Sequence, residues 1–259
     1  MWQGDLQDAL FASCYDAFYA YRSAYDVPFF ERIVAEHGAP VLELGCGTGR
    51  VLVPLARAGA EIVGIDRNAA MIDVARGKIA AERLDPRAQV SRADMRYFSM
   101  DRRFALALFP FRSFQELLTP YDKAACLDNV RDHLIDGGHI LLDLYFPSLP
   151  TLLSPCGVAA ASPNPAALAD GRRVRRADLV VERDLVNQTQ QCAIVYDVID
   201  GDAVERYTQL YTTSYLFHPE LTHLLARTGF EIVRMFSDYD GAPFAPPYPG
   251  EMIALARKR

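Results

Sequence analysis

The sequence lacks an excess of basic residues: its 259 residues include 27 Lys and Arg against 33 Asp and Glu, for a net charge of -6 at pH 7. A chain without surplus cations has little to hold a phosphodiester backbone, so a nucleic-acid substrate is disfavoured. Long apolar runs are missing too, since stretches such as 104–111 break off within about eight residues, whereas a membrane span needs roughly 20. No basic segment followed by an apolar one marks the amino terminus. We therefore expect a soluble, cytoplasmic protein with no nucleic-acid or membrane partner.

Cysteine is also scarce, and the five cysteines are scattered without a CxxC pair or a nearby histidine at the spacing of a zinc site. This pattern predicts reduced thiols and no bound metal. The nucleophile elbow of serine hydrolases is absent as well, and Cys46 lies in a glycine loop. Hydrolase chemistry is therefore disfavoured.

Apolar residues make up 51% of the chain, enough for the core of one elaborated domain. Five segments have the length and composition of strands, namely 40–44, 61–65, 89–93, 104–109 and 139–145. Helix-like stretches alternate with them at 50–58, 69–82 and 121–135. This alternation indicates crossover units and a parallel sheet, and hence an α/β fold.

Turn and cap residues mark the ends of several of these elements. Two helices precede the first strand, and we expect Asp26 to cap the second, with Pro28 in its first turn. Gly137 and Gly138 are expected to end the helix before the fifth strand.

The alternation stops after the fifth strand. A proline- and alanine-rich segment at 147–171 reads as a loop with one short helical turn. Three segments rich in Val, Ile, Tyr and Thr follow and predict an antiparallel meander, at 174–184, 190–199 and 204–217. The chain then returns to a short helix and two last strands, at 218–230, 231–236 and 251–258.

A glycine loop follows the first strand directly, with Gly45, Gly47 and Gly49 spaced GxGxG. Glycine is expected where a ligand approaches the backbone more closely than a Cβ allows. A dinucleotide site favours GxGxxG instead, with its third glycine at the position of Arg50. Asp66 lies seventeen residues after Gly49, at the end of the second strand, where its carboxylate can accept two hydrogen bonds from a ribose diol. An adenosine-bearing ligand without phosphate satisfies both observations.

Three motifs, ELGCGTG at 43–49, GID at 64–66 and ADM at 93–95, resemble successive motifs of the class I S-adenosylmethionine-dependent methyltransferases. The resemblance implies a Rossmann-like seven-stranded sheet with leading helices and an antiparallel three-stranded cap inserted after strand five. It divides a single methyltransferase domain, 1–259, into leading helices, cofactor-binding core, inserted cap and end of the core, at 1–39, 40–146, 147–216 and 217–259.

The same resemblance assigns cofactor contacts residue by residue. Glu43 is expected to brace the glycine loop, whose glycines and Cys46 border the methionine half, and Asp66 to take the ribose hydroxyls. The adenine is expected to lie among residues that follow strands two and three: Arg67, Met71, Asp94 and Met95. Phe109, at the end of strand four, is a further expected cofactor contact. From the leading helices, Arg22 is expected at the methionine carboxylate and Tyr15 or Tyr21 at the sulfonium, with a surface role for Arg22 as the alternative.

The segment after the fourth strand, Phe109 to Leu118, forms the expected wall for the methyl acceptor. Enzymes that methylate the exocyclic amines of bases usually carry Asn or Asp, two prolines and an aromatic residue there, and this chain has FPFR. The wider sequence, including DVPFF at 26–30 and FRSFQELL at 111–118, is similar to bacterial small-molecule methyltransferases such as the N,N-dimethyltransferases of nucleotide-linked amino sugars. Relatives often have a histidine where this chain has Glu116. Glu116 is therefore a candidate base for the acceptor's proton, with a solvated loop carboxylate as the alternative.

Four further residues are candidates for contact with the acceptor: Arg112, Tyr145, Tyr211 and Tyr239. Tyr207, Tyr211 and Tyr215 are spaced by four and are expected to share one face of the third meander strand. That face either packs the meander on the sheet or forms an aromatic wall for a developing cation. The oligomeric state stays open, with a homodimer through the outer face of the meander as one alternative.

The sequence thus predicts methyl transfer from S-adenosylmethionine to a small-molecule acceptor, with an amine nitrogen favoured over oxygen or carbon and S-adenosylhomocysteine as product. One rival is a cofactor-binding protein without transferase activity. A nicotinamide oxidoreductase is the other, and GxGxG argues against it.

Overall fold

The computed structural model describes residues 4–162, 164–168, 170–246 and 250–259. Residues 1–3 of the amino-terminal segment and Pro163 of the proline-rich segment lie outside the described residues. The described helices are α1 Gly4–Tyr19, α2 Ser23–His37, α3 Leu52–Arg57, α4 Ala69–Ala81, α5 Pro120–His133, α6 Leu149–Leu152 and α7 His218–Arg227. Two segments are 3₁₀ helices, Ala20–Arg22 and Pro110–Glu116. None of the described helices has the length and apolar character needed to cross a membrane.

Twelve strands are described: β1 Val41–Leu44, β2 Ile62–Asp66, β3 Ala88–Arg92, β4 Phe104–Phe109, β5 Leu134–Tyr145, β6 Ala160–Ala161, β7 Ala166–Ala167, β8 Arg173–Asp184, β9 Thr189–Asp200, β10 Ala203–Ser214, β11 Phe230–Phe236 and β12 Glu251–Lys258. Seven of them form one sheet in the order β3-β2-β1-β4-β5-β12-β11. β1 to β5 pair in parallel, and β12 runs antiparallel to both of its neighbours. The predicted seven-stranded Rossmann-like sheet is confirmed.

The insertion between β5 and α7 forms a second, antiparallel sheet. β8, β9 and β10 make the meander, and the short strands β6 and β7 both pair with β8. β10 ends at Ser214, so Tyr215 lies just beyond the strand, where it packs against Phe217. The prediction that Tyr215 shares the strand face of Tyr207 and Tyr211 is therefore wrong.

Apolar side chains fill both faces of the large sheet. Even-numbered residues of β5, such as Leu142, join α5 and α7 on one face, whereas Leu141 joins α2, α3 and α4 on the other. A third apolar cluster lies between α1 and the cap, where Cys14 of α1 packs near Tyr196 of β9. The leading helix is thereby held between the two sheets.

Two predicted helix boundaries are wrong. α2 begins at Ser23, so Asp26 lies in its first turn rather than at its cap, and Pro28 lies inside the helix. Asp26 is instead a buried partner of Arg50. α5 ends at His133, and Gly137 lies inside β5, where the register with β4 shifts. The positive φ of 72° at Gly137 fits this irregularity, because glycine adopts such angles without a steric penalty.

Candidate active site

The predicted site residues gather at the carboxyl edge of the large sheet. The loops after β1, β2, β3, β4 and β5 all open at this edge because these strands run parallel. The loop after β11 reaches the same edge, since β11 and β5 both pair antiparallel with β12. Six loops therefore open at this one edge of the sheet.

The three loop glycines differ in what a side chain would meet at each position. A Cβ at Gly45 would lie 2.5 Å from the Cβ of Ser113, and one at Gly49 would lie 3.1 Å from Val53 Cγ2, so both positions are required for packing. At Gly47, where φ is +53°, a Cβ would meet no described atom within 4 Å. Only Gly47 therefore faces open space of the kind that a ligand occupies. Cys46 points into the core, because a Cβ at Gly64 would lie 2.8 Å from its sulfur.

Asp66 closes the glycine loop from the end of β2. Its carboxylate accepts hydrogen bonds from the backbone N–H groups of Gly47 at 2.9 Å and Asn68 at 2.8 Å. Burial raises the pKa of Asp66, and these two hydrogen bonds oppose that shift. Met71 is buried in the first turn of α4, whose cap is Asn68. Asp66, which is predicted to bind the ribose, is thus hydrogen-bonded directly to Gly47, the glycine that faces open space.

Asp94 follows β3 and is bonded to Arg96. The Arg96 guanidinium contacts both carboxylate oxygens, at 3.0 and 2.6 Å, and also bonds Asp122 at 2.6 Å. Arg96 lowers the pKa of Asp94. Met95 is half-buried against the core. The group predicted to hold the adenine amine is therefore ionised and oriented.

Glu116 pairs with Arg67 across the same end of the site. The Arg67 guanidinium lies 3.0 Å from the Glu116 carboxylate, whose side chain is 51% exposed. Surrounding protein raises the pKa of Glu116, and Arg67 opposes that shift. Because Arg67 directly follows Asp66, this ion pair lies on the ribose side of the site.

A buried charged cluster lies behind the glycine loop. Glu43 of β1 is fully buried, and burial raises its pKa to about 8, with Arg50 opposing the shift. Arg50 donates to Asp26 at 2.8 Å, and both side chains are buried. Tyr15 of α1 also interacts with Arg50, and burial raises the pKa of Tyr15 to about 12. The leading helices therefore reach the loop through charged and phenolic groups, and the predicted contact of Tyr15 with the sulfonium stays a prediction.

The loop after β4 adopts an uncommon conformation. Phe111 has φ 48° and Arg112 has φ 69°, in the left-handed region that residues with a Cβ seldom adopt. The backbone N–H of Phe111 donates to the buried Asp143 carboxylate at 2.8 Å. Such backbone strain clusters at ligand sites, where the surrounding structure holds it in place.

The Phe111 ring is the centre of this part of the site. The Arg22 guanidinium lies 4.6 Å from the ring centroid and that of Arg50 lies 5.3 Å away. Tyr19 packs its ring 4.9 Å from the same centroid. Sequence reasoning missed Phe111, because nothing in FPFR signals a left-handed turn at two residues that are not glycine. Phe109, the residue named instead, is fully buried on the opposite face of the sheet, against Phe114, so its side chain offers no surface to a cofactor.

A hydrogen-bonded chain links the leading helices to the end of β5. Arg22 donates to the Tyr239 hydroxyl at 3.2 Å, and that hydroxyl donates to Asp143 at 3.0 Å. Tyr239 was a predicted acceptor contact, and the structure places it beside Arg22. Tyr21, by contrast, is 63% exposed and points away from this chain of contacts.

The remaining acceptor candidates divide between two places. Arg112 pairs with Glu251 at 3.2 Å and lies 5.2 Å from the ring centroid of Tyr145, so these residues form one wall after β4 and β5. Tyr211 lies on the cap, opposite Cys192 of β9, and its ring is partly exposed. Arg176 and Tyr19 hydrogen bond to each other and connect the cap to the Phe111 ring.

The residues present fit the cofactor that the motifs imply. Glu43 Oε2 and Arg22 Nε are among the side-chain atoms of the described residues that are buried without a hydrogen-bond partner. The amino acid end of S-adenosylmethionine carries an ammonium and a carboxylate, which are complementary to these two groups. With the open face of Gly47 and the Asp66 carboxylate, the site offers a partner for each polar part of the cofactor.

Comparison with known proteins finds methyltransferases among the relatives of this chain. Residues 41–138 match the family described as a methyltransferase domain. The dTDP-3-amino-3,6-dideoxy-alpha-D-glucopyranose N,N-dimethyltransferase of Streptomyces fradiae is 29% identical over 142 residues, 55% of this chain and 52% of that protein. The cypemycin N-terminal methyltransferase of a Streptomyces species is 32% identical over 111 residues, 43% of this chain and 44% of that protein. The chain spans about half the length of the curated relatives it matches.

A solved structure extends the likeness of fold to most of the chain. An amino pentose methyltransferase from Micromonospora echinaspora, solved with S-adenosylmethionine bound, superposes with a TM-score of 0.67 at 20% identity, covering 89% of this chain and 87% of that chain. Residues 41–138 thus match a methyltransferase domain, and the likeness over the rest of the chain is one of fold. The methyltransferase resemblance inferred from the glycine loop, GID and ADM is therefore confirmed over these residues.

Proposed function

We propose that the protein transfers the methyl group of S-adenosylmethionine to an amine nitrogen of a small molecule. The observation that carries the proposal is the junction of Gly47 with Asp66, where open space in front of a glycine meets a carboxylate that can accept from a ribose diol. Asp94 and Met95 are proposed to hold the adenine, with Arg67 and Met71 beside it. Glu43, Arg22 and Tyr15 are proposed to bind the methionine end.

Positioning is the main task of the protein in this reaction. The bound sulfonium supplies a strong electrophile, and the acceptor displaces the methyl group in line. Arg112, Tyr145 and Tyr239 are proposed to hold the acceptor, with Tyr211 contributing from the cap. Enclosure between Phe111 and the leading helices excludes water, and aromatic faces stabilise a cationic centre.

An amine acceptor is supported by what the relatives act on by name: an amino sugar, the amino terminus of cypemycin and an amino pentose. These acceptors differ in size and share a nitrogen nucleophile. An oxygen or carbon acceptor, or cofactor binding without transfer, is the alternative outcome of the experiment that follows.

An acceptor screen tests the proposal. The protein is incubated with methyl-labelled S-adenosylmethionine and single acceptors: a dTDP-linked amino sugar, a peptide with a free amino terminus, and a phenol and a carboxylic acid as matched oxygen nucleophiles. We expect S-adenosylhomocysteine and labelled product by mass spectrometry with amines alone, and no product with the Asp66→Ala variant. Transfer only to the oxygen nucleophiles would assign an O-methyltransferase, and cofactor binding without any transfer would favour the non-catalytic reading.

A further inference from the structure

An amine must lose its proton before it attacks the methyl group, and the site contains two carboxylates that compete for this role. Glu116 lies beside Arg67 and near Asp66, on the ribose side. Asp143 lies at the end of β5, and its side chain is on the sheet face that carries Glu43 and packs against α2. Glu43 and Arg22, which are proposed to bind the methionine end, lie on that side, and Arg22 is linked to Asp143 through Tyr239, so we place the reacting methyl group nearer to Asp143.

Tyr239 connects Asp143 to the space around Phe111. Its hydroxyl donates to both Asp143 oxygens, at 3.1 and 3.0 Å, and accepts from Arg22 at 3.2 Å. The same Arg22 guanidinium lies 4.6 Å from the Phe111 centroid. A phenol oxygen has two lone pairs. Tyr239 therefore keeps one acceptor site for a further donor while its own proton points at Asp143.

We propose that Tyr239 and Asp143 form a proton relay that deprotonates the acceptor ammonium. The inference rests on the proposed function, because it needs an amine acceptor next to Phe111. Tyr239, partly exposed, is the group that contacts the amine. Asp143, only 1% exposed, is the terminal proton acceptor.

The step balances without a further reactant. The ammonium N–H bond breaks as its proton passes to the Tyr239 oxygen. The original Tyr239 O–H bond breaks at the same time, as the phenol's own proton passes to Asp143. The freed nitrogen lone pair then forms the N–CH₃ bond while the C–S bond breaks and its electron pair stays on sulfur. Reversal of the relay after product release returns the proton from Asp143 to solvent.

The charged groups around the pair suit this role. Arg22 approaches from the first 3₁₀ helix, Arg112 from the second, and Glu251 from the start of β12. The Arg32 guanidinium of α2 bonds the Tyr239 backbone carbonyl at 2.7 Å. Burial, followed by the Glu251 charge, raises the pKa of Asp143 to about 6, so the carboxylate is ionised at neutral pH and available to accept a proton.

The test is a pH series of kcat/KM from pH 6 to 10 with the amine that the acceptor screen identifies and saturating S-adenosylmethionine. Asp143→Asn keeps an oxygen for the Phe111 N–H and the Tyr239 hydroxyl but cannot take a proton. Tyr239→Phe removes the hydroxyl of the relay and leaves the hydrogen bond from the Phe111 N–H to Asp143 intact. It therefore tests the relay even if Asp143→Asn fails to fold. Asp136→Asn and Tyr121→Phe make the same chemical changes at exposed positions away from the site.

We expect both relay variants to lose about a hundredfold or more in kcat/KM at pH 7, in the range of general-base catalysis. The loss should shrink by about tenfold per pH unit as the amine deprotonates unaided, because one pH unit changes the free-amine fraction tenfold below its pKa. The two controls should follow the native profile. A merely structural role would reduce the rate by one factor at every pH.

Two results would overturn the relay: a loss that is independent of pH in both variants, or a pH-dependent loss in Glu116→Gln that the relay variants lack. The second result would assign the base to Glu116. If the native protein binds the cofactor but methylates no amine at any pH, the proposed function itself fails and the relay fails with it. The two failures are therefore distinguishable.

Discussion

Several ionisable residues of this site are buried away from water, and Glu43 is one of them. Its folded pKa of about 8 lies above the ordinary 4.5, so it holds a proton between these values that the unfolded chain has released. Stability therefore falls as the pH rises through this range, by at most about 1.4 kcal/mol per pH unit. A neutral amide at this position removes that dependence.

We predict that Glu43→Gln gains stability relative to the native protein between pH 5 and pH 8. The glutamine matches the protonated acid in shape and has no proton to release. Urea denaturation at pH 5, 6.5 and 8 measures the difference, with the exposed Glu31→Gln as control. If the stability difference between Glu43→Gln and the native protein is the same at all three pH values, Glu43 is ionised in the folded protein.

The loop glycines make a second prediction at this scale. Gly47→Ala should fold, and its free energy of unfolding should fall by about 1 to 2 kcal/mol because alanine is strained at this positive φ. The variant should also lose affinity for S-adenosylhomocysteine, because the new methyl group fills open space that the ligand is proposed to occupy. Gly59→Ala is the matched control, with a positive φ and no atom near its Cβ. Gly45→Ala should fail to fold stably, since its Cβ would clash with Ser113. Equal affinity in the Gly47 and Gly59 variants, by calorimetric titration, would place the ligand elsewhere.

At the scale of elements, α1 is fastened to the glycine loop by one acidic side chain. Asp16 accepts from the Thr48 hydroxyl at 2.7 Å and pairs with Lys78 of α4 at 2.5 Å. Thr48 is buried between two of the loop glycines. The leading helix is therefore held across the cofactor site by contacts to both the loop and α4.

We predict that Asp16→Ala speeds the dissociation of S-adenosylhomocysteine by about tenfold while association changes little. Removing the carboxylate frees α1 to move away, at a cost of roughly 1 to 2 kcal/mol for hydrogen bonds to charged groups. Stopped-flow fluorescence or surface plasmon resonance separates the two rates. Ser13→Ala, an exposed change on the same helix, serves as control, and an unchanged dissociation rate in Asp16→Ala would show that α1 does not retain the ligand.

The sequence predicts secondary-structure elements correctly where side-chain periodicity is strong, and incorrectly where tertiary contacts set the ends of an element. The alternation from Val41 onward indicates β1 to β5 correctly, because buried parallel strands read as short apolar runs. Asp26 was misread as a cap because its partner, Arg50, is distant in sequence. Gly137 and Gly138 resemble a helix stop, yet they accommodate an irregularity in β5 that no local pattern signals.

The candidate site shows the same division. Gly47, Asp66 and Asp94 follow from motif spacing, and the structure brings them to one edge. The position of Phe111 depends on the strained backbone of the loop after β4. The hydrogen bond between Tyr239 and Asp143 joins two residues that are 96 positions apart in the sequence. Such contacts exist only in the folded chain.

At the scale of the whole molecule, the two sheets share one helix. α1 packs its apolar face on the cap, near Tyr196, and its acidic Asp16 on the core. α1 therefore connects the proposed cofactor site to the cap. Acceptor selection is expected to depend on the cap, whereas cofactor binding is expected to depend on residues 41–138, the part that matches a methyltransferase domain, together with the leading helices.

The central claim is that this edge binds S-adenosylmethionine through Asp66. Calorimetric titration of the native protein and of Asp66→Ala with S-adenosylhomocysteine tests it most directly, because no acceptor is needed. The account predicts micromolar binding to the native protein and a loss of about a hundredfold or more in the variant, since the carboxylate that is proposed to accept from two ribose hydroxyls is removed. Equal affinity in the two proteins, or NADH bound in place of S-adenosylhomocysteine, would contradict it.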